Sequence, residues 1–167
     1  MELSIKSFIL FGAIILTGLS AGLFYAWSVS VIPGTEKLTS RIYLDTLQNI
    51  NNAILNPAFF LIFFGSVVFL SIASIYQLHT KSITFWLMLT ATIFYLLGTV
   101  GVTALGNVPL NDQLKILKLT DLSTDKIEAF RTFYETKWNR LHLIRTIFAV
   151  FSFVLVVLAL FFQTKKL

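Results

Sequence analysis

The chain has 167 residues, of which 56% are hydrophobic and only 13% are charged, with a mean hydropathy of +0.82. A soluble domain carries about a quarter charged residues, so this composition is typical of one compact domain, residues 1–167, built into a membrane. The absence of cysteine excludes disulfides, thiolate metal sites, thiol catalysis and a lipoprotein anchor, and the net charge of +5 comes with no basic run that would bind nucleic acid.

Four apolar stretches are each long enough to cross the hydrocarbon core of a bilayer as a helix, which takes about 20 residues. Only helices and closed barrels satisfy the backbone there, and these runs lack the alternation of barrel strands. The first run is too long for the core of a signal peptide. We therefore predict an all-α integral membrane four-helix bundle, with spans at about residues 7–32, 57–78, 83–105 and 141–162.

The connections between the predicted spans differ in length and character. Residues 79–82 leave room for only a tight turn, so the second and third spans should form an antiparallel hairpin. Residues 33–56 form a longer, amphipathic connection, which we predict to be a helix at the membrane interface. Polar residues fall on one face of that helix and apolar residues on another: Asp45, Asn49, Asn52 and Asn56 against Leu44, Leu47 and Ile54.

The third connection, residues 106–140, is the longest. Asn107–Asn111 contains a proline between two asparagines, and we predict it to be an ordered turn that leaves the membrane. From about Thr124 a helical pattern runs through Arg140 into the fourth span without a proline or glycine. We therefore predict one long fourth helix whose first half extends outside the bilayer.

Four spans place both termini on one side of the membrane, together with the short turn. That side carries Lys6, Lys81, Lys165 and Lys166 against a single acid, Glu2. The other nine of the thirteen Lys and Arg residues lie on the opposite side, where seven acids offset them. A tally of Lys and Arg alone favours the reverse orientation, but the unopposed lysines close to the membrane lead us to predict cytoplasmic termini in a bacterial inner membrane.

The residues most able to carry chemistry form a stripe on the fourth helix: Arg131, Glu135, Trp138, His142 and Arg145. Their spacings of 4, 3, 4 and 3 place them on one helical face. An arginine at the centre of a span costs about 2.5–3.5 kcal/mol on insertion scales, so such a residue normally faces protein or water. One interpretation is a polar pocket at the membrane entrance. The other is structural, with Arg145 reaching lipid phosphates, Trp138 in the aromatic belt, and Arg131 paired with Glu135 at the surface.

Within this stripe His142 is the candidate acid or base, because histidine titrates near neutral pH. The alternative for His142 is a hydrogen-bonded structural role. No spacing of His and Glu matches a metal motif, so no metal is predicted. The side-chain amides of Asn107, Asn111, Gln48 and Asn51 either donate to a ligand oxygen or satisfy the backbone and one another.

Several segments make the chain similar to a known family. The most specific are Asn107–Asn111 (NVPLN) and Trp138–Thr146 (WNRLHLIRT), and Gly18–Trp27 (GLSAGLFYAW) and Leu47–Asn51 (LQNIN) add to them. With these segments the chain resembles the DUF1772 family of small membrane proteins, which includes the anthrone oxygenases. The resemblance covers nearly the whole chain.

The resemblance implies oxidation of an anthrone to an anthraquinone by molecular oxygen without a cofactor. The substrate would be a small, flat, apolar phenolic molecule. The tryptophan, the arginine and two of the asparagines of the site occupy positions of the family's motifs, and the histidine is our candidate base. The complete predicted site comprises catalytic His142, Arg145 and Trp138 and substrate-binding Asn107, Asn111, Gln48 and Asn51.

The rival hypothesis is a membrane protein without enzymatic activity that binds a lipid or a partner helix. It predicts that the same polar residues bond to one another and leave no cavity of ligand size. Gly18 and Gly22 lie on one face of the first span, where small residues allow close packing within the chain or between copies, so a homo-oligomer is left open. Membrane lipid is the expected surrounding partner under both hypotheses.

Overall fold

The computed structural model describes residues 5–80 and 82–164, and every regular element within those ranges is a helix. In chain order the α-helices are α1 (Ile5–Ala26), α2 (Ile32–Thr35), α3 (Ser40–Ala53), α4 (Pro57–Gln77), α5 (Ile83–Ile93), α6 (Val108–Lys115) and α7 (Thr124–Thr164). Wider π-helical segments join α1 to α2 and α5 to α6: Trp27–Val31, Phe94–Gly101 and Thr103–Asn107. Short 3₁₀ turns occupy Leu78–Thr80 and Leu119–Asp121.

Four continuous helical rods are long and apolar enough to cross a membrane: Ile5–Thr35, Pro57–Thr80, Ile83–Lys115 and Thr124–Phe162. They pack as a bundle in which the order around the ring is α1, α4, α5 and α7. Large apolar side chains face outward, among them Leu61 and Leu97, each of which is 66% exposed. Such a surface fits hydrocarbon rather than water. The predicted fold class, a four-helix membrane bundle, is confirmed.

Local sequence explains where two of the rods begin. The Asn56 side chain caps α4 by accepting a hydrogen bond from the backbone N–H of Phe59 at 3.0 Å. Pro57 occupies the start of that helix, where its missing N–H removes no bond. Ser82 caps α5 in the same way, after the predicted tight turn.

The orientation of the protein in the membrane stays a prediction. Four of the residues on which it rests lie outside the described residues: Glu2, Lys81, Lys165 and Lys166.

The predicted turn at Asn107–Asn111 is wrong, because the third rod continues through these residues as a helix. A proline inside a helix normally removes a backbone hydrogen bond and clashes with the carbonyl four residues earlier. Pro109 comes two residues after a π-helical segment, and Pro33 also comes two residues after one. We attribute the unbroken rod to the wider π-helical turn, which moves the preceding carbonyls away from the proline ring.

α7 is a single helix of 41 residues and about 60 Å, twice the thickness of a hydrocarbon core. Its C-terminal half completes the bundle, and its N-terminal half packs against α3 and α6. A second apolar core lies between these helices and includes Leu44, Leu47, Leu114 and Tyr134. The extended fourth helix and the amphipathic connection are therefore confirmed, and the polar face of α3, with Asp45, is exposed.

Arg131 fastens the loop between α2 and α3 to α7. Its guanidinium donates to the carbonyl oxygens of Leu38 at 2.6 Å and Glu36 at 2.7 Å, and to the Glu135 carboxylate at 3.0 Å. It also lies 4.6 Å from the centre of the Tyr43 ring. Burial, and to a smaller extent the Glu135 carboxylate, raises the pKa of the Tyr43 phenol, which keeps that ring neutral. The predicted pair of Arg131 with Glu135 is thus present as part of a loop contact.

Arg131→Ala is expected to destabilise the protein by about 2 kcal/mol, because three charge-assisted hydrogen bonds are lost. Arg131→Lys should keep only part of this stability, since an ammonium group cannot span both carbonyls as the guanidinium does. In thermal unfolding of the protein in detergent, the alanine variant should melt about 5 °C lower than the unmodified chain. Arg41→Ala, which changes an exposed arginine of α3, is the matched control. An equal shift in both alanine variants would contradict the loop contact.

Gly98 and Gly18 are among the glycines that allow helices of the bundle to approach closely, whereas Gly22 does not. The Gly98 backbone lies against the Phe148 ring, where a β-carbon would overlap Phe148 Cγ. A β-carbon at Gly18 would stand 3.0 Å from Phe153 Cε2. At Gly22, which is exposed, no neighbouring helix of the described chain comes within 4 Å of that position. Close packing within the chain is therefore confirmed at Gly18, and Gly22 makes none.

Candidate functional site

Three members of the predicted stripe form a buried cluster on the inner face of α7. Trp138, His142 and Arg145 are 3%, 1% and 8% exposed, and they face the end of α1 and the π-helical segment that follows it. Arg131 and Glu135 lie nearer the N-terminus of α7, at the loop that they fasten. The polar cluster where α7 enters the bundle therefore consists of Trp138, His142 and Arg145.

The Arg145 guanidinium is buried without an acidic partner. Its Nε and Nη2 donate to His142 Nδ1 at 3.1 and 2.9 Å, and its Nη1 donates to the Thr103 hydroxyl at 3.4 Å. Its charge lies 4.7 Å from the centre of the Phe24 ring and 5.1 Å from that of the Trp138 ring. Among the described residues no carboxylate pairs with it. The site therefore holds a desolvated positive charge that an anionic group can neutralise.

The neighbours of His142 fix which of its ring nitrogens carries the proton. An arginine only donates hydrogen bonds, so Nδ1, which contacts two nitrogens of Arg145, must be an acceptor. The proton then lies on Nε2, which is 3.1 Å from the carbonyl oxygen of Phe24 and 3.0 Å from the Ser28 hydroxyl. His142 is thus a neutral imidazole whose basic lone pair faces Arg145.

Trp138 is held by hydrogen bonds at one edge and by stacking on one face. Its indole Nε1 donates to Asn111 Oδ1 at 2.9 Å, and the Tyr134 hydroxyl is also 2.9 Å from that oxygen. The Asn51 side chain donates to the Tyr134 hydroxyl at 3.1 Å. The indole lies parallel to the His142 ring, at an interplanar angle of 6° and with 5.0 Å between centres. Hydrogen bonding and stacking together fix Trp138 against His142.

An inner cavity of about 80 Å³ adjoins these residues. Trp138, His142 and Arg145 form its polar end, and Phe24 and Phe59 belong to its apolar walls. Its volume is enough for several water molecules or for part of a flat ligand. The inner cavity combines aromatic surface with a buried cation, an arrangement typical of sites for small apolar ligands that carry one polar group.

An outer cavity of about 90 Å³ lies beside the inner one, between the end of α3 and the start of α6. The two cavities share part of their lining: Asn51, Ile54, Leu55, Val108 and Asn111. Leu55 and Val108 are 59% and 42% exposed, so this shared wall reaches the surface of the protein. The two asparagines therefore belong to a wall that reaches the surface, and they line the same inner cavity as Arg145.

The structure brings five of the seven predicted site residues to the inner cavity: Asn51, Asn111, Trp138, His142 and Arg145. Gln48 lines the outer cavity, and its amide donates to the carbonyl oxygens of Leu114 and Leu117 at 2.7 and 3.0 Å. Asn107 is fully buried and lines neither cavity. Its Nδ2 donates to the Trp138 carbonyl oxygen at 3.3 Å, and its Oδ1 has no partner within the described part of the chain. Asn107 therefore contacts the site through the backbone of Trp138.

Sequence reasoning did not single out several residues that bond to or pack against members of the site, among them Phe24, Ser28, Thr103 and Tyr134. Tyr134 lies four residues before Trp138 and so on the same helical face, a spacing that is visible in the sequence. Phe24 and Ser28 lie on the first rod and Thr103 lies on the third, so only the packing of these rods against α7 brings them to the site. Ser28 and Thr103 each lie in a π-helical segment, a feature that is frequent at functional sites.

The donor set of the site suits an anion or a carbonyl oxygen better than a cation. Arg145 supplies a positive charge, and the neighbouring groups are hydroxyls, amides and one imidazole. Within residues 5–80 and 82–164 no three His, Asp or Glu side chains stand close enough together to hold a metal ion. The chemistry open to these residues is hydrogen bonding, charge stabilisation and proton transfer.

The family model for anthrone oxygenase matches residues 58–155, more than half of the chain. The chain belongs to the anthrone oxygenase family. The resemblance inferred from the sequence motifs is thus confirmed at the level of the family. No curated protein and no solved structure matches this chain.

The matched region of this anthrone oxygenase family member supplies more than half of the residues that line the inner cavity. It contains Trp138, His142 and Arg145, and it ends before the last turns of α7. Phe24 and Asn51, which also line the inner cavity, precede it. The inner cavity therefore includes residues from outside the matched region.

Proposed function

We propose that this anthrone oxygenase family member oxidises a flat, apolar phenolic substrate of the anthrone type with molecular oxygen and without a prosthetic group. The observation that supports this most is the buried Arg145, which has no anionic partner among the described residues and lines a cavity walled by aromatic side chains. An enolate or phenolate of a flat substrate would supply the missing negative charge. Its rings would lie against the apolar walls.

The proposed reaction needs no electron carrier, because the substrate itself reduces oxygen. Loss of a proton from the CH₂ group of an anthrone gives an aromatic enolate, which transfers an electron to O₂. The two radicals combine to form a carbon–oxygen bond and, after protonation, a hydroperoxide. Loss of water then leaves the second carbonyl of the quinone. One O₂ is consumed, one of its atoms enters the product and the other leaves as water.

Each polar residue at the inner end would have a distinct task in this reaction. Arg145 would bind the enolate oxygen, where charge develops as the proton leaves. When its guanidinium turns from His142 Nδ1 to that oxygen, the lone pair on Nδ1 is released and can accept the proton. Trp138, parallel to the His142 ring, would keep the imidazole in place and offer a flat surface beside the substrate. Substrate binding and release of the base are thereby coupled.

The test is oxygen uptake by the purified protein with anthrone, together with the appearance of anthraquinone in equal amount. Uptake should survive prior treatment with a metal chelator. His142→Ala and Arg145→Ala should both slow it strongly, while Arg140→Ala, an exposed arginine on the same helix, should leave it unchanged. Absence of uptake by the unmodified protein would overturn the function. Equal rates in all variants would overturn the site.

A second candidate is binding of an anionic lipid without catalysis. It is supported by the extent to which the polar residues bond to one another, as in the chain from Asn51 through Tyr134 and Asn111 to Trp138. A lipid phosphate would then pair with Arg145 instead of an enolate. This candidate predicts that anionic lipid copurifies with the unmodified protein, is lost in Arg145→Ala, and is accompanied by no oxygen uptake with anthrone.

A further inference from the structure

Three of the four interfaces between neighbouring rods carry direct contacts beside the inner cavity. The first rod packs on the fourth through the rings of Phe24 and His142, with 6.0 Å between centres. It packs on the second through Phe24 and Phe63, with 6.4 Å between centres. The third rod meets the fourth where Arg145 donates to the Thr103 hydroxyl. These contacts leave the interface between the second and third rods as the side on which the cavity can open.

The second and third rods make most of their contacts away from the inner cavity. α4 packs mainly against α5, and to a smaller extent against Phe94–Gly101, where the Tyr95 hydroxyl donates to the Phe63 carbonyl oxygen at 3.3 Å. Closer to α3 and α6, Phe59 of α4 and Thr103 of the third rod both line the inner cavity. Both rods therefore border the cavity at this end of the bundle.

The exposed residues beside this interface are apolar. Of the described residues that line the inner cavity, the exposed ones are Leu55 and Val108. The exposed neighbours of Phe59 and Thr103 along the chain are apolar as well: Ala58, Phe60, Ala104 and Leu105. Leu105 is 85% exposed and lies three residues before Val108, on the same helical face. A border of this kind fits hydrocarbon better than water.

Exposed polar residues appear at the outer cavity, whose lining includes Asn52, Asp112 and Lys115. Charged side chains are costly in hydrocarbon, so Asp112 and Lys115 mark the water side. The half-buried Asn51 and Asn111 line both cavities and stand between the polar and the apolar residues. The apolar border of the inner cavity therefore lies at the edge of the hydrocarbon.

We propose that the inner cavity exchanges its ligand sideways with the hydrocarbon of the membrane, through the gap between the second and third rods that is bordered by Leu55, Phe59, Thr103 and Val108. We call this gap the side opening. The molecule that passes through it is flat and apolar and is dissolved in the bilayer. This inference rests on the proposed function only for the identity of that molecule.

Entry from the membrane suits both reactants of the proposed oxidation. Leaving water is favourable for an apolar molecule of the anthrone type, which therefore concentrates in hydrocarbon. Molecular oxygen is also more soluble in hydrocarbon than in water. A molecule that passes the side opening moves from one apolar medium into another, and it meets the charge of Arg145 at the inner end of the cavity. The side opening therefore selects for apolar molecules before Arg145 selects for an anionic oxygen.

The first test places a fluorescent label at the side opening and asks which phase surrounds it. The chain contains no cysteine, so Val108→Cys provides a single site for a bimane label. In phosphatidylcholine vesicles, lipid with a nitroxide on its acyl chain should quench this label more strongly than aqueous iodide does. Asn52→Cys, an exposed position of α3 that lines the outer cavity, is the matched control and should show the reverse. Stronger quenching by iodide at both positions would overturn the proposal.

The second test blocks the side opening and follows the exchange of a ligand that cannot react. Anthraquinone in the same vesicles should quench Trp27 and Trp138, which line the inner cavity, in a Trp86→Phe background that removes the exposed third tryptophan. N-cyclohexylmaleimide on Val108→Cys should slow both binding and release about tenfold, as a barrier raised by about 1.4 kcal/mol does. The dissociation constant should stay the same, because the adduct lies outside the bound ligand. The same adduct on Leu97→Cys, an exposed position of the third rod, should change neither rate.

Each outcome of the second test supports or overturns the side opening. Slower exchange with the adduct at Asn52→Cys but not at Val108→Cys would place the entrance at the outer cavity instead. Weaker binding without slower release would show that the adduct fills the cavity itself. Unchanged rates with both adducts, or no quenching by anthraquinone, also overturn the proposal. If Val108→Cys does not fold, Leu55→Cys takes its place, because Leu55 borders the same opening.

Oxygen uptake judges the proposed function separately. Slower exchange of anthraquinone in modified Val108→Cys, without any oxidation of anthrone by the unmodified protein, supports the side opening and overturns the oxygenase proposal. Oxidation of anthrone together with unchanged exchange overturns the side opening and leaves the oxygenase proposal in place.

Discussion

Replacing Arg145 with alanine is expected to lower kcat/KM for anthrone oxidation by about 10²–10³-fold, the usual effect of removing one group that stabilises a developing oxyanion. The effect should be large because the guanidinium is 8% exposed, so water cannot take over its role. It should appear mainly in kcat if the charge develops on the substrate only as the proton leaves.

Arg145→Lys separates the charge of this residue from its shape. An ammonium group restores a positive charge but offers no planar fork that can move between His142 Nδ1 and a substrate oxygen. We therefore expect Arg145→Lys to recover no more than part of the lost rate. Initial rates of oxygen uptake in detergent, with unfolding temperatures recorded for each variant, provide the measurement. If Arg145→Ala retains a rate within about threefold of the unmodified protein, Arg145 does not bind the reacting oxygen.

Gly98→Ala is expected to destabilise the bundle by about 2–3 kcal/mol, because an added β-carbon would overlap Phe148 Cγ. The overlap is with the base of the aromatic side chain, so rotation of the ring cannot relieve it. Phe94 packs edge-on against the same ring, with 5.3 Å between centres, and limits any shift of Phe148. The helices that carry Gly98 and Phe148 would therefore have to separate.

The measurement is thermal unfolding in detergent, with Gly22→Ala as the matched control, since that position is exposed and free of neighbouring helices. Gly22→Ala should melt at or slightly above the temperature of the unmodified protein, because alanine favours the helix. The double variant Gly98→Ala with Phe148→Ala should be more stable than the sum of its single changes implies. Strict additivity of the two changes would show that the predicted overlap is absent.

The spans and the helical connection were predictable because they depend on local properties. Runs of apolar residues long enough to cross a bilayer define the four rods, and the alternation of Leu44 and Leu47 with Asp45 and Asn49 marks the amphipathic α3. The stripe on α7 was visible for the same reason, since helical spacing puts Trp138 and Arg145 on one face.

The details of the site were harder to predict because they depend on contacts between rods. The sequence near Pro109 indicates a break, yet the π-helical segment before it lets the rod continue, and nothing in residue type reveals that wider turn. Asn107 and Asn111 look equivalent in the sequence, but they lie four residues apart along a helix and meet different parts of Trp138. The Asn107 side chain bonds to the backbone carbonyl of Trp138, and the Asn111 side chain bonds to its indole N–H. The partners of His142 on the first rod, Phe24 and Ser28, could only be found once the packing of the rods was known.

The π-helical segments make the site depend on the number of residues as well as on their identity. Each α-helical residue turns the chain by about 100°, so a helix that lost one residue between Thr103 and Asn107 would present a different face beyond that point. Asn111 would then leave the wall of the inner cavity although no side chain of the site had been altered. The same holds for Trp27–Val31, which sets the angle between α1 and the loop held by Arg131. In this protein the length of each rod therefore sets the shape of the cavity, and a single deletion in either segment is expected to alter the cavity from a distance.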